Sequence, residues 1–242
     1  VEMNSGLQFY DGMTSTEIQS ILIKSAADLI SLESPNYQYV AARLLLFQIR
    51  KSVFNTKWKD SKIYPPLKDI VTRNINHQVY DDKLITYYSD EEWDKLDSYM
   101  KHDRDFFFTY AGLRQVVDKY LVQDRSSGQL FESPQYMYML IAAVLFKNYP
   151  TEKRLSYVKR YYDAVSTFKI NIPTPIMAGI RTPLRQFASC VLVDSDDTLD
   201  SIFSSDMAIG RYVAQRAGIG INAGRIRGLG SKIRGGEVQH TG

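Results

Sequence analysis

The residues best suited to chemistry lie near the end of the 242-residue sequence, where glycines and basic side chains alternate. Eight of the fourteen glycines fall within residues 218–242, interleaved with Arg225, Arg227, Lys232 and Arg234. Accessible backbone amides and guanidinium groups can both donate hydrogen bonds to phosphate oxygens. Neither common phosphate fingerprint is met, because Gly218-x-Gly220 is followed by Gly224, one position late for the dinucleotide pattern, and no P-loop is present. Residues 225–237 therefore predict either a phosphate-binding loop or a flexible, solvated basic loop.

The single cysteine, Cys190, is the second candidate for chemistry. It lies in the apolar run Phe187-Ala-Ser-Cys-Val-Leu-Val193, and a lone cysteine in such a run is usually a buried small hydrophobe. The three histidines are scattered and no Cys-x-x-Cys occurs, so the spacing predicts no metal site.

Two further patterns favour structural roles over chemistry. The aromatic clusters Tyr136-Met-Tyr-Met139 and Tyr161-Tyr162 suggest base stacking, but they lie in helix-periodic segments, where core packing is the commoner use. The pair Asp196-Asp197 immediately precedes a predicted helix, where carboxylates cap free amides. We therefore assign the aromatic residues to the core and the two aspartates to a cap.

Composition indicates a globular protein without a nucleic-acid or membrane partner. Lys plus Arg exceeds Asp plus Glu by only three, and 44% of the residues are hydrophobic. The longest apolar runs, such as residues 136–146, fall well short of the roughly 20 residues that cross a bilayer. One cysteine and no leader pattern favour a reducing, cytoplasmic location.

Periodicity predicts a helical first part. Thr14 and Glu17 have capping-box spacing before a helix over 16–32, and a second helix follows Pro35 and ends near residues 51–54. Ser89 and Glu92 predict a capped helix to residue 100. Two more helices are expected over 134–146 and 151–168.

Strands are expected at two places. Residues 120–123 and 129–132 flank an Asp-Arg-Ser-Ser-Gly turn and predict a small β-hairpin. Residues 186–194, 197–217 and 218–226 read as strand, helix and strand, which indicates a β-α-β unit and an α+β fold class. The aperiodic stretch 55–66 suggests a boundary, giving predicted divisions at 1–54, 55–185 and 186–242.

Four long motifs closely resemble the large (alpha) subunit of class I ribonucleoside-diphosphate reductase. They are Pro173-Thr-Pro-Ile-Met-Ala-Gly179, Arg181-Thr-Pro-Leu-Arg-Gln-Phe-Ala-Ser-Cys190, Gln215-Arg-Ala-Gly-Ile-Gly-Ile-Asn-Ala-Gly-Arg-Ile-Arg227 and Ile233-Arg-Gly-Gly-Glu-Val-Gln-His-Thr-Gly242. The resemblance extends upstream to Phe9-Tyr-Asp-Gly12 and covers essentially the whole sequence, with residues 51–101 the loosest. The resemblance implies a remnant of the family's N-terminal ATP cone, a helical domain, and the first strands and helix of a ten-stranded α/β barrel.

The resemblance implies reduction of ribonucleoside diphosphates to deoxyribonucleoside diphosphates by a radical mechanism. Cys190 matches one of two cysteines that reduce the substrate and become a disulfide, which replaces our expectation of an inert thiol. Thr174 and Ser189 match contacts to the substrate diphosphate, and Ala217 and Gly218 match backbone lining the same pocket.

The resemblance also implies allosteric control by ATP or deoxynucleoside triphosphates. The residues that match the specificity site are Asp197, Thr198, Leu199, Arg227 and Arg234. In that site the carboxylate would bind the ribose hydroxyl and the arginines the phosphates, beside a large-subunit homodimer interface formed by the helix 197–217. Ser15 and Lys51 match positions of the ATP cone.

Other chains are implied as partners. No cofactor is expected in this chain itself; a separate metal-containing small subunit would supply the radical, and thioredoxin or glutaredoxin would restore the thiols. The radical cysteine and the partner of Cys190 are expected beyond Gly242, so we expect the chain to be inactive without the rest of the large subunit. The alternative is a non-catalytic nucleotide-binding or assembly module in which Cys190 is idle.

Overall fold

The computed structural model describes residues 1–54, 64–215 and 217–241. The chain forms two compact units, residues 1–185 and residues 186–242. The predicted boundary near residue 55 falls on residues 55–63, outside the described part, so the three-part division stays a prediction. No helix among the described residues is long and apolar enough to cross a bilayer.

The first unit is helical. Its α-helices are α1 Glu2–Gly6, α2 Ser15–Ala27, α3 Tyr37–Phe54, α4 Leu67–Asn76, α5 Asp90–Tyr99, α6 Tyr110–Gln115, α7 Pro134–Phe146, α8 Thr151–Ser166 and α9 Thr174–Gly179. Two 3-10 helices, Asp82–Tyr87 and His102–Phe107, and a π-helical turn, Val116–Tyr120, connect them. Helices α2 and α3 pack together, as do α7 and α8.

Both predicted capping boxes form. The Thr14 hydroxyl accepts the Glu17 amide at 3.3 Å, and the Glu17 carboxylate accepts the Thr14 amide at 2.8 Å. Ser89 and Glu92 make the same reciprocal pair at the start of α5. These bonds satisfy amides that have no partner inside their helices, which explains why the helices begin where the sequence predicts.

Helix α7 is the centre of the first unit. Every residue from Pro134 to Ala143 is buried, including Tyr136 and Tyr138. Trp93 of α5 and Tyr162 of α8 are also buried in this core. The core role predicted for the Tyr-Met-Tyr-Met run is therefore confirmed.

The predicted hairpin over 120–132 is much reduced. One antiparallel bridge joins Gln123 and Leu130, and Tyr120 ends the π-helical turn instead of starting a strand. The buried Glu132 accepts the Val122 amide at 2.8 Å. The Val122 carbonyl accepts the Phe131 amide at 3.0 Å, so backbone pairing continues on that side, whereas the Val122 amide is bound by a side-chain carboxylate.

The second unit contains the predicted β-α-β arrangement. Strand β1 Cys190–Asp194 pairs in parallel with β2 Gly218–Asn222, with Cys190 opposite Gly218, and α10 Leu199–Ala214 connects them. A short antiparallel pair follows, β3 Lys232–Ile233 with β4 Val238–Gln239. The elements are shorter than predicted, since α10 begins only after its cap residue Thr198 and β2 ends at Asn222.

Candidate functional site

Cys190 is the first residue of β1, and its side chain is a free, exposed thiol. The expectation from local sequence alone, a buried small hydrophobe, is wrong. Two paired parallel strands leave this end of β1 open, so the apolar neighbours of Cys190 do not enclose it. An exposed thiol can exchange with other thiols and disulfides, which a buried one cannot.

Four of the predicted substrate and redox residues lie together in the second unit. The Gly218 amide donates to the Ser189 carbonyl at 2.8 Å, directly beside Cys190. A Cβ atom on Gly218 would lie 3.3 Å from the same carbonyl, so a side chain there would crowd this strand pair. Ala217 is buried and donates its amide to Tyr212 at 3.1 Å. The start of β1 and the start of β2 thus form one small surface.

Thr174 belongs to the first unit, where it is the exposed first residue of α9. Its Oγ1 lies 3.4 Å from the hydroxyl oxygen of Tyr120. The hydroxyl of Thr174 is therefore available to a ligand on one side and contacts a tyrosine on the other.

Asp197 and Arg227 form an ion pair just before α10, in which one nitrogen of Arg227 contacts both carboxylate oxygens. Arg227 Nε lies 2.9 and 2.8 Å from the two carboxylate oxygens, and the Arg227 amide donates to the same carboxylate at 3.2 Å. The hydrogen bonds from the Arg227 side chain and amide lower the pKa of Asp197. The carboxylate contacts Arg227 instead of standing free for a ribose hydroxyl, so a ligand would have to share or replace this pair.

The neighbours of Asp197 complete the N-terminus of α10. The Thr198 hydroxyl caps the helix by accepting the Ser201 amide at 3.1 Å, and Leu199 is exposed. Thr198, and not the two aspartates, is the cap residue. Asp196 instead pairs with Arg225 at 3.1 Å.

Arg234 lies in the turn between β3 and β4. It is exposed and has φ 51°, and Gly235 and Gly236 follow it with φ 66° and 102°. Left-handed backbone at three successive residues explains the glycines of this turn. The turn leaves the Arg234 side chain exposed, and both alternatives for residues 225–237 stay predictions.

Ser15 and Lys51 meet at the packed helices α2 and α3. Lys51 Nζ donates to the Ser15 hydroxyl at 3.0 Å. Both residues line an open cavity of about 870 Å³. Its other polar lining includes Gln48, Arg114 and Gln129. Two cations, amides and hydroxyls around one cavity could bind a phosphorylated ligand.

A buried ion pair that the sequence did not reveal lies beneath Thr174. Arg181 and Glu132 have no solvent exposure, and Arg181 Nε donates to Glu132 Oε2 at 2.8 Å. The remaining Arg181 nitrogens donate to the carbonyls of Met177 in α9, at 2.6 Å, and of Tyr120, at 2.9 Å. Burial and the Glu132 charge raise the pKa of Tyr80, whose hydroxyl also donates to Glu132.

Metal ligands are not grouped in the described ranges: no cluster of three or more histidine, cysteine, aspartate or glutamate side chains is positioned to hold an ion there.

Two family models match the sequence. Residues 106–185 match "Ribonucleotide reductase, all-alpha domain" and residues 188–242 match "Ribonucleotide reductase, barrel domain". The chain is 54% identical over 243 residues to ribonucleoside-diphosphate reductase 1 subunit alpha of Escherichia coli K12, covering 100% of this chain and 31% of that protein.

Other relatives give the same result. The subunit alpha of Haemophilus influenzae is 54% identical over 243 residues, and that of Enterobacteria phage T4 is 50% identical over 232 residues, or 96% of this chain and 30% of that protein. The chain therefore spans a little under a third of the length of these curated relatives.

Proposed function

Because the chain belongs to the ribonucleotide reductase large-subunit family, we propose that it forms the segment of such a subunit that carries one reducing thiol and the first contacts to nucleotide. The complete subunit would convert ribonucleoside diphosphates to deoxyribonucleoside diphosphates. The observation that carries this proposal is the exposed Cys190 thiol, held between Ser189 and Gly218 at the start of two paired strands.

The role of Cys190 is to supply one of two reducing equivalents. Replacing the 2′-hydroxyl of a ribose by hydrogen breaks the C2′–O bond, releases the oxygen as water and consumes two electrons. Two thiols provide these electrons and the two hydrogens when they join as one disulfide. Since this sequence contains a single cysteine, the second thiol belongs to another segment of the large subunit.

The substrate contacts proposed here are hydroxyls and bare backbone. Thr174 and Ser189 would donate to the diphosphate, and Ala217 with Gly218 would line the pocket where a larger side chain would crowd the ligand. The exposed hydroxyl of Thr174 and the close approach of Gly218 to Ser189 support these assignments.

For effector binding, we assign a deoxynucleoside triphosphate or ATP to the surface of Asp197, Arg227 and Arg234, with Thr198 and Leu199 beside it. Exposure of α10 next to this surface supports a homodimer interface there, so effector and dimer would influence each other. Ser15 and Lys51, at the wall of the 870 Å³ cavity, would contact a second effector.

The partners follow from the chemistry. A separate metal-containing small subunit would supply the radical, and a dithiol protein of the thioredoxin or glutaredoxin class would reduce the disulfide. We expect the assembly to work in the cytoplasm, where thiols stay reduced.

The test is Cys190→Ser in the complete large subunit that carries this segment. With the small subunit and an external dithiol present, we expect nucleotide reduction to fall by at least a thousandfold, because one of the two reducing thiols is gone. The dissociation constant for the nucleoside diphosphate should change less than threefold, since serine is nearly isosteric.

Ser98→Ala, at an exposed position of α5 to which no binding surface is assigned, is the control and should leave reduction unchanged. Wild-type turnover by the Cys190→Ser enzyme would contradict the proposal and favour a nucleotide-binding or assembly module. Nucleotide reduction by the isolated 242-residue chain would contradict it equally.

A further inference from the structure

Tyr120 lies between the interior and the exposed Thr174. It ends the π-helical turn Val116–Tyr120 and is 9% exposed. Its hydroxyl oxygen accepts Gln115 Nε2 at 3.1 Å and lies 3.4 Å from Thr174 Oγ1. Single π-turns inside helical segments occur frequently at functional sites, because the wider turn redirects a side chain.

The hydrogen bonds around Tyr120 allow an arrangement that leaves the Thr174 hydrogen free for a ligand. The Gln115 amide nitrogen can only donate, so it occupies an acceptor position on the Tyr120 oxygen. Either hydroxyl can be the donor in the Tyr120–Thr174 contact, and when Tyr120 donates, Thr174 Oγ1 accepts its hydrogen. The Thr174 hydrogen remains available for an external acceptor, and phosphate oxygens are acceptors.

A buried scaffold fixes the separation of the two hydroxyls. Arg181 donates to the Tyr120 carbonyl at 2.9 Å and to the Met177 carbonyl of α9 at 2.6 Å. One planar guanidinium therefore holds both the residue that directs the hydrogen and the helix that carries Thr174. Glu132 neutralises Arg181 where both are inaccessible to solvent.

We propose that Tyr120 is a positioning residue for substrate binding, which orients the Thr174 hydroxyl so that its hydrogen points to a phosphate oxygen of the nucleoside diphosphate. The inference rests on the proposed function, since it requires Thr174 to contact phosphate. Gln115 acts one step further out by orienting Tyr120. The 3.4 Å separation of the hydroxyls should shorten when phosphate draws on the Thr174 hydrogen, as hydrogen bonds in unliganded sites often do.

The test is a double-mutant cycle of Tyr120→Phe and Thr174→Val in the complete large subunit with its small subunit and a dithiol. Tyr120→Phe keeps the ring and removes the hydroxyl. We expect KM for the ribonucleoside diphosphate to rise about three- to tenfold with kcat within twofold of wild type, the range for losing one hydrogen bond. In the Thr174→Val background, Tyr120→Phe should change KM less than twofold, because the hydroxyl that it orients is absent.

Two further variants separate orientation from general stability. Tyr88→Phe removes another buried hydroxyl, which donates to the Ala143 carbonyl at 2.9 Å, and should leave KM unchanged. Gln115→Leu alters an exposed side chain and should raise KM by about twofold through Tyr120. KM of both variants is measured at the same saturating concentration of the small subunit.

The outcomes distinguish this inference from the proposed function. If Thr174→Val leaves KM unchanged, the phosphate role of Thr174 is wrong. If Thr174→Val raises KM but Tyr120→Phe does not, only the positioning role is wrong. The positioning role is also wrong if Tyr120→Phe raises KM as much in the Thr174→Val background as it does in the wild type.

Discussion

At the scale of single residues, Asp105 and His102 belong to one cluster and should change the free energy of unfolding with pH in opposite directions. Burial raises the pKa of Asp105 to about 7, against the hydrogen bond from Gln135. Burial and the Arg50 charge lower the pKa of His102 to about 3. Arg50 lies 3.9 Å from Asp105. The titratable groups nearby include Asp103, Tyr64, Tyr136, Tyr138 and Tyr162. The cluster favours a neutral acid beside a neutral imidazole.

The pH dependence of the two residues should nearly cancel. Between pH 4 and 7 the folded state retains a proton on Asp105 that the unfolded chain releases, so this residue stabilises the fold less as pH rises. Between pH 3 and 6.5 the unfolded chain binds a proton on His102 that the folded state excludes, so stability rises with pH. We expect Asp105→Asn to unmask a rising and His102→Gln a falling free energy of unfolding from pH 4 to 6.5. Urea titrations at several pH values measure this, and parallel curves for the two variants would contradict it.

The buried Arg181–Glu132 pair makes a second prediction at this scale. Glu132→Gln should cost about 3 kcal/mol of unfolding free energy, because Arg181 would remain charged and buried without its counter-ion. Asp118→Asn, in the exposed Arg114–Asp118 pair, is the matched control and should cost under about 1 kcal/mol. Urea unfolding followed by circular dichroism compares them, and equal losses would show that the buried charge is solvated.

At the scale of elements, the helix caps are the features on which sequence and structure agree most closely. Ser89→Ala should destabilise the first unit by about 1 kcal/mol, because the Glu92 amide loses its acceptor. Ser98→Ala, at an exposed position inside α5 where the hydroxyl donates to the Lys95 carbonyl, serves as control and should change stability by less than half of that. Thermal unfolding of the two variants compares their losses of stability, and equal losses would contradict a specific role for the cap.

How far the sequence predicts the fold depends on whether the determining contacts are local. The two capping boxes and the apolar run of α7 are local, and the sequence predicts both, whereas the cap predicted at Asp196-Asp197 is Thr198 instead. The run after Lys119 is rich in strand formers, yet Tyr120 ends a helical turn, because its carbonyl is held by Arg181, 61 positions away in the sequence. No local pattern contains that information.

The same distinction applies to the candidate site. Cys190, Ser189 and Gly218 were identified through motifs, and the parallel strands bring them together. Tyr120, Gln115 and Arg181 were missed, since their roles depend on contacts between distant segments. A tyrosine at the junction of a helix and a turn gives no sign of its function until its hydroxyl is located.

At the scale of the whole molecule, the two units differ in how much of their surface they can bury. Strands β1 and β2 form a two-stranded parallel sheet, whereas parallel sheets are usually covered on both faces. Leu192 is 88% exposed and Ile221 58% exposed. The side chains Leu199, Phe203 and Met207 lie along one exposed stripe of α10.

Hydrogen exchange should reveal this difference in the isolated chain. The amides of α7 should exchange only through unfolding of the first unit, because that helix is the most buried element. The amides of β1 and β2 should exchange at least a hundredfold faster. Equal protection of α7 and β1 would mean that the strand pair is stable without further cover.

The separation of β1 from β2 along the sequence also governs events during synthesis. The first unit is finished when residue 185 leaves the ribosome, but the thiol of Cys190 must wait for residues 218–222 before its strand has a neighbour. At about 5–20 residues per second, that interval is on the order of seconds. During that interval a nascent chain would present an exposed thiol on a strand that has no partner, while residues 1–185 can already fold.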